Sequence, residues 1–239
     1  MRRIESAFAD YLENEGSVDL LWSDKVGYVF LTINEKTHES ESCDDLHTAT
    51  QLCHRLLDDM AITVLMQTKR NHNFSTMDED EAARVRAAWN ACNRKTAGLC
   101  LSSAMKFSAK HKKMRRKTTL IYSEAERKEI ERVYGVFKDY IHASKFLDFV
   151  WSEKLGYLLL HIDPTKNTIE EDQIIASADE LCAELFNEVA TDVFQEAKRE
   201  HFYPDADDDE VAVIRRRWQP YLDLLPEYRS SCRAFHIAE

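Results

Sequence analysis

The chain carries one pattern twice. Residues 8–94 align without a gap on residues 137–223 at a constant offset of 129, and 27 of the 87 aligned positions are identical. Phe8-Ala9-Asp10-Tyr11 returns as Phe137-Lys138-Asp139-Tyr140, and Trp22-Ser23-Asp24-Lys25-Val26-Gly27-Tyr28 as Trp151-Ser152-Glu153-Lys154-Leu155-Gly156-Tyr157. Lys69-Arg70-Asn71-His72 returns as Lys198-Arg199-Glu200-His201. Self-similarity at this level marks a repeated structural unit, and each copy serves as a comparison for the other.

Periodicity within each copy predicts the elements. Ser123-Glu124-Ala125-Glu126 is a capping box, and Ile130, Val133, Tyr134, Phe137, Tyr140 and Ile141 follow it at helical spacing. Runs rich in strand formers come next, at 18–22 with 28–33 and at 147–151 with 157–162. The connector between them keeps Gly27 or Gly156, where a tight hairpin needs positive φ. Trp22 with Tyr28, and Trp151 with Tyr157, should pair across the two strands. Both strand faces are apolar, so most of the sheet is expected to be covered. A long amphipathic helix follows, with Leu46, Ala49, Cys53, Leu56, Met60 and Val64 on its stripe, repeated from Ile175 to Val193. A second helix starts near Asp78 or Asp207 and is anchored by Trp89 or Trp218, and Pro220 and Pro226 should kink or end the later one.

The expected fold class is therefore α+β: two tandem helix–β-hairpin–helix–helix units. A lone hairpin is marginal in water, so the two hairpins are expected to join in a pseudo-two-fold, four-stranded antiparallel sheet packed with helices. The units span 1–94 and 123–239, and 95–122 connects them. That connector holds the one basic run, including Lys110, Lys112, Lys113, Arg115, Arg116 and Lys117.

Charge and motifs narrow the function classes. The net charge of −11 opposes general coating of phosphate backbones or anionic membranes. No apolar run approaches the ~18 residues of a membrane span. The opening Met1-Arg2-Arg3-Ile4-Glu5-Ser6 lacks the apolar stretch of a signal peptide, and a cytoplasmic location is expected. Six cysteines make no C-x-x-C pair and read as small buried hydrophobes of a reducing compartment. With five glycines in all, neither a dinucleotide fingerprint nor a P-loop occurs, and no cofactor is expected.

Three functional expectations follow. The first is a non-enzymatic interaction protein, monomer or homodimer, whose acidic surface binds a protein partner, including an enzyme that itself binds nucleic acid. The second is a metal-dependent hydrolase or nuclease using His72, Asp78 and Asp80, or His201, Asp207 and Asp209, since mixed imidazole and carboxylate ligands suit a divalent metal. Against it, Asp78-x-x-Glu81 and Asp207-x-x-Glu210 also fit capping boxes, and cations such as Lys69 and Arg70 suit a helix C-terminus. The third is nucleic-acid contact through residues 106–117.

Overall fold

The computed structural model describes residues 2–70, 74–96, 122–200 and 205–229. Its first half runs α1 (Arg2–Asn14), β1 (Val18–Ser23), β2 (Gly27–Asn34), β3 (Glu39–Leu46), α2 (Ala49–Gln67) and α3 (Glu79–Thr96). The second runs α4 (Glu124–Ala143), β4 (Leu147–Ser152), β5 (Gly156–Asp163), β6 (Thr168–Ile174), α5 (Ala178–Glu196) and α6 (Asp208–Leu224). The strands form two antiparallel three-stranded sheets, β1-β2-β3 and β4-β5-β6. Val18 pairs with Thr32 and Ser23 with Gly27, and 129 residues later Leu147 pairs with His161 and Ser152 with Gly156. α6 continues through Pro220 to Leu224, and Pro226 opens a short 3₁₀ turn beyond it.

This corrects the expected single four-stranded sheet. Each hairpin gains a third strand of its own, β3 or β6, and the two sheets meet face to face. The third strands escape sequence reading because ESESCDDL and TIEEDQI are rich in residues disfavoured in strands. Both also carry a bulge. Thr32 pairs with Ser42 but Ile33 with Ser40, which leaves Glu41 over, and Glu170 is left over in β6 by the same shift.

Alternation along the central strands explains the layers. Tyr28 and Phe30 point into a cluster with Ile4, Phe8, Leu52, Leu56 and Trp89 from the helices. Val29, Leu31 and Ile33 point the other way, onto Val150, Leu158, Leu160 and Ile162 of the opposite sheet, with Leu21, Val26 and Leu155. Helices thus cover the outside of each sheet, and the sheets cover each other. Full burial of such a side chain is worth about 1.5–3 kcal/mol, so neither sheet is stable with this inner face in water. A larger cluster from α4, α5, α6 and β5 fills the second half, with the Trp218 indole donating to the Phe186 carbonyl at 2.9 Å.

The hairpin loops close the sheet-to-sheet contact. Gly27 and Gly156 take φ of 89° and 92°. The Ser23 hydroxyl accepts from the Lys25 and Val26 amides at 3.1 Å, and donates across the interface to Asp148 at 2.5 Å. Ser152 donates to Asp19 at the same distance. The Lys25 ammonium donates to the Ile141, Ser144 and Leu147 carbonyls, where α4 ends and β4 begins. Lys154 donates to the counterpart carbonyls of Leu12, Glu15 and Val18. Both ammonium groups are pulled below the usual lysine range by burial. Val26 and Leu155 plug the inner core.

The cysteines differ from expectation at one position. Cys43, Cys92 and Cys182 are outside any disulfide, whereas Cys53 is disulfide-bonded.

The lysine lock is testable. Lys154→Ala and Lys154→Met should each cost roughly 2–4 kcal/mol in urea unfolding, because three interior carbonyls lose a charged donor. Retention of wild-type stability in the Met variant would show that the stem, not the ammonium, matters.

Candidate functional site

The duplicated K-R-x-H and D-x-D-E blocks form one local structure in each half. α2 ends in a Schellman motif: Lys69 takes φ of 58° and its amide bonds the Met66 carbonyl, while the Arg70 amide bonds that of Leu65. Lys198 (φ 55°) and Arg199 close α5 through Gln195 and Phe194. The Arg70 guanidinium then reaches Glu81 at 2.8 and 2.9 Å and the Thr76 carbonyl at 3.0 Å. Arg199 likewise meets Glu210 at 3.2 Å and the Asp205 carbonyl at 3.2 Å. Glu81, 1% exposed, also accepts from the Asp78 amide at 2.9 Å, and Asp78 accepts from the Glu81 amide at 2.8 Å. Asp207 and Glu210 make the same box.

In this structure Asp78 and Asp207 act as helix caps, and Asp80 and Asp209 are exposed on the first turns of α3 and α6. His72 and His201 lie outside the described residues, as do Lys110, Lys112, Lys113, Arg115, Arg116 and Lys117. Among the described residues, no three His, Cys, Asp or Glu side chains are grouped to hold a metal ion. Also among them, no helix is long and apolar enough to cross a membrane. Trp89 and Trp218 are buried in the helical cores, and Trp22 with Tyr28 and Trp151 with Tyr157 pair across the hairpins in T-shaped contacts at 5.0 and 4.6 Å.

A polar surface lies beside β3. An open groove of about 610 Å³ is lined by Asp44, Asp45, Leu46, Thr48, Thr50, Gln51, His54, Arg55 and Asp58. Thr48 and Gln51 form the capping box that starts α2 and floors the groove. Arg55 packs over Phe30 at 4.5 Å and bonds Asp44 at 2.9 Å and Thr32 at 2.8 Å. His47 meets Asp45 at 2.8 Å. Burial pushes the Asp58 carboxyl up, against the pull of His54 and Arg55. At one end β3 lies against β6, where the Ile169 amide donates to Asp45 at 3.3 Å. The Cys43 thiol there is pushed up by burial, then by Asp172, Asp44 and Asp45.

Sequence reasoning passed over these residues because it looked for what the two copies share. Asp44, Asp45, His54, Arg55 and Asp58 align with Gln173, Ile174, Ala183, Glu184 and Asn187, and that divergence was the available signal. The second half has a different polar face. His161 stands at the Thr32 position and Glu184 at that of Arg55. Tyr140 donates to Asp192 at 2.9 Å, and His161 Nδ1 is 3.8 Å from Glu188. Burial first, then Asp192 and Glu184, push the Glu188 carboxyl up to about 7.

No family model, no curated protein and no solved structure matches this chain.

Two predictions follow. A non-glycine residue in the left-handed region costs roughly 1–2 kcal/mol, partly offset by the chain entropy of glycine. Lys198→Gly should therefore raise stability by about 0.5–1 kcal/mol in thermal unfolding, and a loss would contradict the Schellman geometry. Glu188 binds its proton more tightly folded than unfolded, so its contribution to stability is fullest below pH ~4.5 and is lost as pH rises toward 7. Glu188→Gln should be more stable than wild type by roughly 1–3 kcal/mol at pH 8, with the gap closing by pH 5 in urea titrations.

Proposed function

We propose that this chain is a non-enzymatic interaction protein, an acidic pseudodimer of two tandem units that binds a cationic protein partner. The observation that carries this reading is the meeting of the two outer strands. Glu39, Glu41, Asp44 and Asp45 of β3 lie alongside Glu170, Glu171 and Asp172 of β6, so both halves contribute carboxylates to one seam. The groove with Asp58 continues from it. Like charges gathered this closely repel, and a cationic surface docking on them relieves the repulsion while steering its own approach. A protein face that normally contacts phosphates has the matching chemistry, so an enzyme acting on nucleic acid is the partner class this seam suits. The contact between β3 and β6 supports the reading, because it brings one strand from each half to the same seam.

The test is capture from the source cell at low and moderate salt. A retained partner should be released as salt rises, and the exposed changes Glu39→Lys, Glu41→Lys and Glu171→Lys together should weaken retention at least tenfold without loss of folding. Retention that ignores both salt and charge reversal would remove the electrostatic reading, and no retained protein would remove the function.

A further inference from the structure

The two hairpins are built alike but are not covered alike. In the second half, Tyr122 sits on the hairpin just before α4. Its ring lies 5.8 Å from that of Tyr157 and 6.3 Å from that of Trp151. It approaches Gly156 so closely that a Cβ there would collide with the ring. Its hydroxyl donates to the Ile175 carbonyl at 2.5 Å and accepts from the Tyr157 amide at 3.3 Å. It thereby bridges one of the two bonds of the rung that would end the β5–β6 ladder, while the Ile175 amide still donates to the Tyr157 carbonyl at 2.9 Å, and β6 stops at Ile174. Five residues on, the Arg127 guanidinium lies 4.6 Å over the Trp151 ring and bonds Glu131 at 3.0 Å. Glu131 also accepts from the Tyr157 hydroxyl at 2.6 Å.

The first half holds the same receiving parts. Trp22 and Tyr28 pair across the hairpin, and the Tyr28 hydroxyl donates to exposed Glu5 at 2.8 Å. A Cβ built on Gly27 would meet only the Leu46 carbonyl, at 3.9 Å. Leu46 is the counterpart of Ile175, and here the ladder runs on to the Tyr28–Leu46 pair. Among the described residues no tyrosine ring stacks on this pair and no guanidinium lies over the Trp22 indole, which is 58% exposed, although the Arg2 charge reaches the Tyr28 hydroxyl.

We infer that the Trp22/Gly27/Tyr28 cradle is a docking site for a tyrosine of a partner protein. The tyrosine precedes a helix and is followed about one turn later by a cation, the arrangement that Tyr122 and Arg127 supply in the second half. The ring fills the space over Gly27 and stacks on Trp22 and Tyr28. Its hydroxyl takes the Leu46 carbonyl by opening the last rung. The cation lies over the indole and pairs with Glu5, with Asp24 beside it holding the Trp22 indole N–H at 2.9 Å. This site is independent of the acidic seam.

The experiment uses the full chain and a synthetic peptide of the sequence from Leu120 to Glu129, capped at both ends. Titration is followed through the indole N–H signals and the Tyr28 amide in NMR. The Trp22 indole and the Tyr28 amide should shift while the Trp151 indole stays in place. A peptide with Tyr122→Ala should bind at least tenfold more weakly. Glu5→Gln in the protein should weaken the peptide severalfold, and Glu5→Gln should have no effect on a peptide with Arg127→Ala. Trp22→Phe guards against misfolding by keeping an aromatic ring, and should retain part of the affinity. Unmoved Trp22 signals at millimolar peptide overturn the site. So does equal binding of the Ala peptide. Trp22 shifts that depend on protein concentration without peptide would instead assign the cradle to a second copy of this chain. Charge reversal at Glu41 and Glu171 should leave peptide binding unchanged, which separates this result from that of the seam.

Discussion

The structure depends on two lysine ammonium groups that each satisfy the end of a helix in the other half of the chain. A helix end leaves carbonyls without partners, and α1 and α4 each end beside the hairpin loop of the other half, at half-buried positions. Lys154 supplies donors to the first and Lys25 to the second. The Ser–Asp bonds beside them and the apolar plugs Val26 and Leu155 make the same short loop responsible for polar and apolar closure alike. The inner faces of the sheets could not otherwise be so apolar, because an open edge would admit water to unpaired backbone groups.

What the halves hold in common is thus mostly a means of holding each other. The shared Arg–Glu pair ties the end of one helix to the start of the next, and the shared tryptophans of α3 and α6 fill cores. Departures from the common pattern lie on the surface: the charged groove beside β3, the acid-rich face of α5, and the covered or bare hairpin tryptophan. A repeated fold leaves its exposed positions free to diverge, because substitutions there change stability little.

Much of the local structure was legible in residue patterns. Ser123 and Glu126 announced a helix start, Gly27 and Gly156 the positive-φ turns, and Trp22 with Tyr28 the strand register. β3 and β6 were not legible, because Glu, Ser and Asp hide a strand whose outer side faces water. The face-to-face sheets were half legible: the run from Tyr28 to Ile33 is apolar on both sides, which demands two covers, but residues alone do not say that the second cover is another sheet. The groove was obscured for a different reason. Asp44 and His54 come together across a strand-to-helix turn, and only the third strand places them. The Arg70–Glu81 pair spans eleven residues, and its two halves were visible only as separate motifs.

The lysine exchange also has a consequence for assembly. Each contact is answered by its counterpart, so the two halves form a closed pair. Among the described residues, Lys25 and Lys154 and the ends of α1 and α4 are all used within this pair, so the lock leaves no counterpart of itself open. The same closure can be met between chains as well as within one. If the halves of two molecules exchanged places, every lock would be remade with identical chemistry, so the choice between one chain and two rests on the connecting segment and on concentration.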